Sequence, residues 1–169
     1  SESFNDASWP TGNGLLYVET AELPAPKSTP LNIGQSTYYF RTSFVIPAVP
    51  SGAQLILNTV LDDGAVFYLN GQEVLRLHMP NGTVSYDTLA NDHESALEGP
   101  YTLSVSNLVV GDNVMAVEVH QVNASSSDIV FGMSLDATLS TTNYVTNNIT
   151  LPVVLSEIMA HGQTALSGA

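Results

Sequence analysis

Cysteine is absent from this sequence, and positively charged residues are scarce. Without cysteine, neither disulfides nor thiolate metal ligands can stabilise the chain. Lys27, Arg41 and Arg76 are the only basic residues, against sixteen acidic ones, and the formal net charge is −13. Such a charge repels the phosphates of nucleic acids and the head groups of anionic lipids. We therefore expect no nucleic-acid partner and no membrane partner.

Long apolar runs and helical periodicity are missing as well. No segment approaches the roughly 20 apolar residues of a membrane-spanning helix, and no window repeats apolar residues at i, i+3, i+4 and i+7. The chain instead alternates short β-branched and aromatic segments with Gly, Pro, Asn and Asp. This pattern predicts an all-β protein, a β-sandwich of the jelly-roll type, because that fold leaves few strand edges open.

The predicted strands follow the apolar segments. They lie at 15–18, 37–46, 54–61, 65–69, 72–77, 101–105, 113–121 and 129–139. Asp62-Asp63-Gly64 and Asn70-Gly71 are typical of tight hairpins, so we predict a three-stranded meander over 54–77. The polar segment 79–99 is predicted to be a long loop, and loops of this kind often carry recognition residues.

One sandwich domain accounts for most of the chain. We predict that it covers residues 1–139, with its core at 37–139. Residues 140–169 begin as a Thr/Asn-rich linker and contain an apolar run at 153–159. That run is either a final strand of this domain or the first strand of a following one.

Three segments resemble a known family. Residues 61–74, LDDGAVFYLNGQEV, resemble the DD-x-a-x-v-y-L-N-G-x-x-V stretch of galactose-binding-like jelly rolls, including the sugar-binding domain of family 2 glycoside hydrolases. Residues 38–44, YYFRTSF, resemble the preceding YFR-k-x-F strand of that family, and residues 108–119, LVVGDNVMAVEV, resemble its L-x-x-G-x-N-v-l-A-V-x-V turn and strand. The likeness implies a galactose-binding-like jelly roll.

A narrower likeness is to accessory modules of large secreted bacterial multidomain proteins. It is carried by DDGAVFYLNG at 62–71, HMPNG at 78–82, and EVHQ at 118–121 followed by SSD at 126–128. Such modules often lie beside phosphoesterase or lamin-tail domains, and residues 154–160 resemble the opening of a lamin-tail domain. The likeness implies an extracellular, bacterial location and a longer parent protein.

Two residue pairs are the clearest candidates for ligand binding. Glu118 and His120 alternate on one predicted strand, so they lie on the same face, about 7 Å apart. They could bind sugar hydroxyls or a metal, or form a buried polar pair that supports neighbouring loops. Asp62 and Asp63 precede a glycine in a turn, where Asp is favoured for its local hydrogen bonds. The functional alternative there is binding of Ca²⁺ or of ligand hydroxyls.

The full set of predicted ligand-binding residues lies on and between the central strands. It comprises Asp62, Asp63, Arg76, His78, Tyr86, Glu118, His120, Gln121 and Asp128. The loops around 62–63, 79–98 and 121–128 are predicted to form the rim of the site.

The sequence contains no specific metal-binding or catalytic motif. A structural Ca²⁺ is the candidate cofactor, because the chain offers many oxygen ligands, although none has EF-hand spacing. The four histidines lack H-E-x-x-H spacing and cysteine partners, which argues against zinc. No specific nucleophile, P-loop or catalytic carboxylate pattern is present, so we predict a protein that is not an enzyme.

Two functions stay open at this point. The first is a non-catalytic carbohydrate-binding module of a secreted multidomain protein, with a neutral polysaccharide or oligosaccharide as its partner. The second is a structural spacer or docking module, stabilised by Ca²⁺, that contacts neighbouring domains of the parent protein. An exposed aromatic side chain in a concave groove favours the first, and an apolar patch at one end of the sandwich favours the second.

Overall fold

The computed structural model describes residues 4–47, 52–140, 146–151 and 157–159. These ranges contain eleven β-strands and no helix, so they include no helix able to cross a membrane, and the all-β prediction is confirmed. The strands are β1 (Leu16–Val18), β2 (Thr29–Pro30), β3 (Thr37–Ile46), β4 (Gln54–Asp62), β5 (Gly64–Leu69), β6 (Gln72–Leu77), β7 (Ala96–Leu103), β8 (Gly111–His120), β9 (Ile129–Ser140), β10 (Thr146–Leu151) and β11 (Glu157–Met159).

The strands form two sheets with jelly-roll connections. The first sheet has the order β2-β1-β9-β4-β7, with β10 also paired to β9, and the second has the order β11-β3-β8-β5-β6. Eight of these strands, all except β2, β10 and β11, are the principal ones. Along them the chain crosses to the other sheet at every connection except the β5–β6 hairpin. The predicted jelly-roll β-sandwich is therefore confirmed.

The two predicted hairpin turns have different outcomes. Asn70 and Gly71 have φ values of 49° and 82° and join β5 to its neighbour β6, as predicted. The turn at 62–64 instead carries the chain from β4 in the first sheet to β5 in the second. The predicted meander is wrong at this point, because a turn sequence specifies local backbone angles and not which strand becomes the partner.

The hydrophobic core lies between the two sheets. Phe131 of β9 packs against Phe40 of β3 with ring centroids 4.7 Å apart, and against Phe67 of β5 at 6.2 Å. All three side chains are almost fully buried, and each contributes about 1.5–3 kcal/mol through the apolar surface it removes from water. Because successive side chains of a strand point to opposite faces, the other face of each sheet is left to carry polar groups.

Two boundaries differ from the sequence predictions. Strand β7 begins at Ala96, whereas the sequence predicted a strand from 101, so the long loop is shorter than expected. In the C-terminal region, β10 pairs with β9 and β11 pairs with β3. Of the apolar run at 153–159, residues 153–156 lie outside the described residues. The domain boundary at 139/140 stays a prediction.

Candidate functional site

Asp63 connects the three loops that the sequence predicted to form a rim. Its Oδ1 accepts a hydrogen bond from the backbone N of His93 at 3.1 Å, and its Oδ2 accepts one from the backbone N of Val122 at 2.8 Å. The backbone N of Ala90 donates to the carbonyl of Gln121 at 3.0 Å. The loops therefore meet at one end of the sandwich, and the buried Asp63 carboxylate holds them together.

Asp62 and Gln121 lie inside this end of the molecule. Asp62 is 3% exposed and Gln121 is 1% exposed. The Gln121 side-chain amide donates to the backbone carbonyl of Asp128 at 2.6 Å. Burial, with the nearby carboxylates of Asp63 and Asp128, raises the pKa of Asp62 to about 7. Neither the Asp62 nor the Gln121 side chain is presented to solvent.

Glu118 and His120 lie on one face of β8, and both are buried. His120 Nε2 is 3.5 Å from Glu118 Oε2, so the predicted common face is confirmed. His120 Nδ1 lies 2.7 Å from the carbonyl of Thr88 and 2.9 Å from Thr37 Oγ1. A carbonyl oxygen only accepts, so Nδ1 carries a proton. These bonds anchor the β6–β7 loop to the second sheet.

The same face carries two tyrosines beside Glu118. Tyr68 donates to Glu118 Oε1 at 2.5 Å. Burial, together with the negative charge of Glu118, raises the pKa of Tyr39 to about 12, and burial and the hydrogen bond to Glu118 raise the pKa of Tyr68. Both phenols therefore stay neutral, and Tyr68 acts as a donor to the carboxylate.

Arg76 and Tyr86 also have partners within the protein. Arg76 forms a two-pronged ion pair with Glu73, at 2.8 Å and 2.7 Å, and its Nη1 donates to the carbonyls of Pro80 and Gly82. The Tyr86 hydroxyl donates to Gln35 Oε1 at 2.7 Å. His78, also among the predicted residues, contacts Glu98. That these nine residues bind a ligand stays a prediction.

A groove on the outer face of the first sheet was not predicted. Its volume is about 430 Å³. Twelve residues line it: Gly14, Leu15, Ala25, Pro26, Ser28, Asn58, Thr59, Val60, Leu97, Gly132, Met133 and Ser134. We call this surface the β4–β9 groove. Among these described lining residues none is charged and none is aromatic.

The wall of the β4–β9 groove is built by the N-terminal segment. Leu15 packs directly on Gly132 of β9, where an added Cβ would lie 2.4 Å from Leu15 Cδ2. Leu15 also forms a small buried cluster with Val60 and Val130. Sequence patterning could not reveal the groove, because its wall depends on a contact between segments more than a hundred residues apart.

Free polar groups occupy the floor and rim of the groove. Asn58 is partly exposed, and Ser28 and Ser134 are exposed. Within the described part of the chain, no side-chain hydrogen bond involves any of these three residues. Their amide and hydroxyl groups are available to a ligand, while Leu97, 65% exposed, offers an apolar surface beside them.

An apolar patch lies at the other end of the sandwich from the loops. Val45, Val109 and Val110 are 60%, 43% and 66% exposed. Val45 pairs with Asp112 near one end of the β3–β8 ladder, whereas Thr37 and His120 pair at the loop end. We call these three residues the valine patch.

Among the described residues, no three loop-end carboxylates converge within 4.8 Å of one another. Among the described residues, the group of three metal-ligating side chains that converges within 4.8 Å is His78, His93 and Glu98. Two imidazoles and one carboxylate do not suit Ca²⁺, which takes oxygen ligands. A calcium site at Asp62, Asp63 or Asp128 stays a prediction.

The two sheets define the class of fold as a jelly-roll β-sandwich. Comparison with solved structures gave three similar chains. These are a Streptomyces avermitilis alpha-L-rhamnosidase complexed with L-rhamnose (20% identity, TM-score 0.45), a Pleurotus ostreatus lectin in its apo form (18%, 0.38) and the PA14 domain of the MpAFP antifreeze protein (12%, 0.38). The matches cover 76%, 84% and 88% of this chain, and 11%, 30% and 72% of those chains. The chain thus spans about a tenth of the rhamnosidase and under a third of the lectin. No model of a protein family matches the sequence, and no curated protein does.

Proposed function

We propose that the protein is a non-catalytic carbohydrate-binding module of a longer, secreted protein, and that the β4–β9 groove binds a neutral saccharide. The observation that carries the proposal is the uncharged lining of the groove in a chain whose net charge is −13. A charged ligand has no counter-charge there. A saccharide, by contrast, presents hydroxyls and apolar C–H faces and no net charge.

The groove offers both kinds of contact that a sugar needs. Asn58, Ser28 and Ser134 provide amide and hydroxyl groups that no protein group occupies in the described chain. Leu97, which is 65% exposed, provides apolar surface for the C–H face. The volume of about 430 Å³ lies within the range of about 300–1,000 Å³ of small-ligand sites.

The affinity should be weak. None of the described lining residues is aromatic, so the stacking of a sugar on a ring, which strengthens many saccharide sites, does not contribute. A few hydrogen bonds and one apolar contact suggest a dissociation constant near millimolar, or about −4 kcal/mol. An accessory module can work at this affinity when several copies or domains act together.

The test is a polysaccharide affinity-gel and glycan-array screen with two matched variants. Ser134→Trp fills the groove from an exposed strand position, and Ser43→Trp places the same side chain at an exposed position of the second sheet. We expect a neutral polysaccharide to retard the wild type and Ser43→Trp, but not Ser134→Trp. Equal retardation of all three proteins would place the binding elsewhere.

The screen should be run in Ca²⁺ and again in EDTA. We propose a structural role for Ca²⁺ because this acidic chain offers many oxygen ligands, so EDTA should lower thermal stability and leave the groove chemistry unchanged. Stability that is identical in both buffers would remove calcium from the proposal.

The valine patch favours a second function, docking onto a neighbouring domain of the parent protein. Three exposed valines at one end of a sandwich are an apolar surface that a following or preceding domain could cover. If Val110→Asp leaves the isolated chain stable but loosens a longer fragment that includes the adjacent domain, docking is supported. No effect in the longer fragment would count against it.

A further inference from the structure

Three side chains with metal-binding chemistry converge beside the long loop. His78 follows β6, His93 lies in the β6–β7 loop, and Glu98 belongs to β7. His78 Nε2 is 3.0 Å from Glu98 Oε1 and 3.1 Å from Oε2, and His93 Nε2 is 3.5 Å from Oε1. All three ligand atoms lie within 4.8 Å of one another.

Two of these separations are close to the ligand spacing around a tetrahedral zinc ion. With zinc–ligand bonds of about 2.0–2.1 Å, the ligand atoms of a tetrahedral site lie about 3.3 Å apart. The two nitrogen–oxygen separations, 3.0 Å and 3.5 Å, bracket that value. Two imidazoles and one carboxylate are also the ligand types that zinc and similar transition metals accept.

The protein holds each ligand in position from outside the cluster. The Tyr101 hydroxyl donates to Glu98 Oε2 at 2.8 Å, which orients the carboxylate. The backbone N of His93 donates to Asp63 Oδ1 at 3.1 Å, and the carbonyl of His78 accepts from the backbone N of Asn91 at 2.7 Å. A hydrogen bond to a ligating carboxylate, such as that from Tyr101, orients the ligand of a metal site, and the two backbone bonds hold the segments that carry the histidines.

The two histidines are arranged as a stack. Their ring centroids are 3.7 Å apart and their planes differ by 16°. His78 has a φ of 53°, a left-handed backbone conformation that His, like Asn and Asp, adopts more often than other side-chain-bearing residues. Nitrogen lone pairs lie in the ring planes, so a shared ion requires one ring to turn about χ2. That torsion is broad for histidine.

We propose that His78, His93 and Glu98 bind one divalent transition-metal ion of the zinc type. The three side chains are 29%, 22% and 15% exposed, so an ion could reach the cluster from solvent. The site lies on other residues than the β4–β9 groove, and the proposal does not depend on saccharide binding.

The expected affinity is moderate. His93 Nδ1 is buried without a hydrogen-bond partner, and it would carry the proton when Nε2 binds the metal. Missing outer-shell partners typically weaken metal affinity by about 10–100-fold. We therefore expect micromolar and not nanomolar binding of zinc.

The experiment is calorimetric titration of the tag-free protein with zinc chloride, repeated with three variants. His93→Gln and Glu98→Gln each remove one ligand, and Glu94→Gln changes an exposed carboxylate of the same loop as a charge-matched control. We expect one ion per chain in the wild type and in Glu94→Gln. Each ligand variant should lose affinity at least about tenfold.

A second measurement guards against misfolded variants. Circular dichroism checks that each variant keeps its β-sheet spectrum, and titration of the wild type with Co²⁺ reports nitrogen ligation through its visible bands. Overturning results are unsaturable binding, equal zinc affinity in all four proteins, or a Co²⁺ spectrum identical to that of the hexaaqua ion.

Discussion

Tyr68 donates a hydrogen bond to Glu118 Oε1 at 2.5 Å, and this bond joins β5 to β8 on the outer face of the second sheet. The Glu118 side chain is 8% exposed, so it has little access to water. A buried carboxylate that lacks a hydrogen-bond donor destabilises the folded state. The hydroxyl of Tyr68 is therefore a stabilising group, and its contribution can be measured.

Tyr68→Phe should destabilise the protein by about 1–3 kcal/mol, because it leaves one Glu118 oxygen without its donor while keeping the ring. Guanidinium unfolding gives the free energy. Tyr17→Phe is the matched control, since Tyr17 contacts Lys27 through its ring, and it should change stability by less than about 0.5 kcal/mol. Equal effects of the two variants would contradict the role assigned to the Tyr68–Glu118 bond.

Asp62 should make stability depend on pH. Its pKa is about 7 in the fold against an ordinary value of 3.8, so the fold favours the neutral acid. That contribution is complete below about pH 4 and is lost as the pH rises through 7. Asp62→Asn stays neutral, so relative to the wild type it should gain about 2–4 kcal/mol between about pH 4 and pH 8.

Chemical unfolding at several pH values measures this gain. The control is Asp112→Asn, an exposed carboxyl at the other end of β8. The difference in unfolding free energy between Asp112→Asn and the wild type should stay nearly constant across the same pH range. If the difference in unfolding free energy for Asp62→Asn is also constant with pH, Asp62 is ionised in the fold at neutral pH.

Asn70 should be sensitive to substitution for two separable reasons. Its φ of 49° is left-handed, and its side chain accepts from the backbone N of Val114 and donates to the carbonyl of Asn107 and to Asn113 Oδ1, each at 2.8 Å. Asn70→Gly loses the hydrogen bonds but adopts the left-handed angle without strain. Asn70→Ala loses the hydrogen bonds and is also strained at that angle. Thermal unfolding should therefore find Asn70→Ala less stable than Asn70→Gly by about 1 kcal/mol. The reverse order would rule out backbone strain as a cause.

Gly132→Ala should loosen the contact between β9 and the N-terminal segment. The new methyl group would lie 2.4 Å from Leu15 Cδ2, the end of a flexible side chain, so that side chain must shift. We expect a loss of about 1–3 kcal/mol and faster hydrogen exchange in β1. Ser134→Ala, two residues away and exposed, should show neither effect. Unchanged exchange in Gly132→Ala would mean that Leu15 adapts without moving the segment.

Local features of the fold were predictable from the sequence, and long-range ones were less so. Asn70-Gly71 forms the predicted hairpin because the turn depends only on its own backbone angles. The Asp62-Asp63-Gly64 turn has the same local signature, yet it joins two sheets, since the partner of β5 is decided by distant β8. The start of β7 was missed because Glu98, Gly99 and Pro100 do not read as a strand.

The sequence indicated the polar residues of the site better than their surroundings. Alternation correctly placed Glu118 and His120 on one face, but it could not show that the β6–β7 loop covers them. His78, His93 and Glu98 are spread over a 21-residue segment with no metal-site spacing. Only the folding of that segment against β7 brings them together.

The jelly-roll connections also determine when the chain can fold during synthesis. Leu16 of β1 pairs with Phe131 of β9, and Thr37 of β3 pairs with His120 of β8. Among the principal strands, β5 and β6 are the one hydrogen-bonded pair that is also consecutive in the chain. Proteins dominated by pairings between distant segments fold slowly, over about milliseconds to seconds. Neither sheet can be completed before β8 and β9 have left the ribosome. Until then the apolar faces of the earlier strands are exposed, and translation of the last third of the domain becomes the interval in which the nascent chain most needs protection from aggregation.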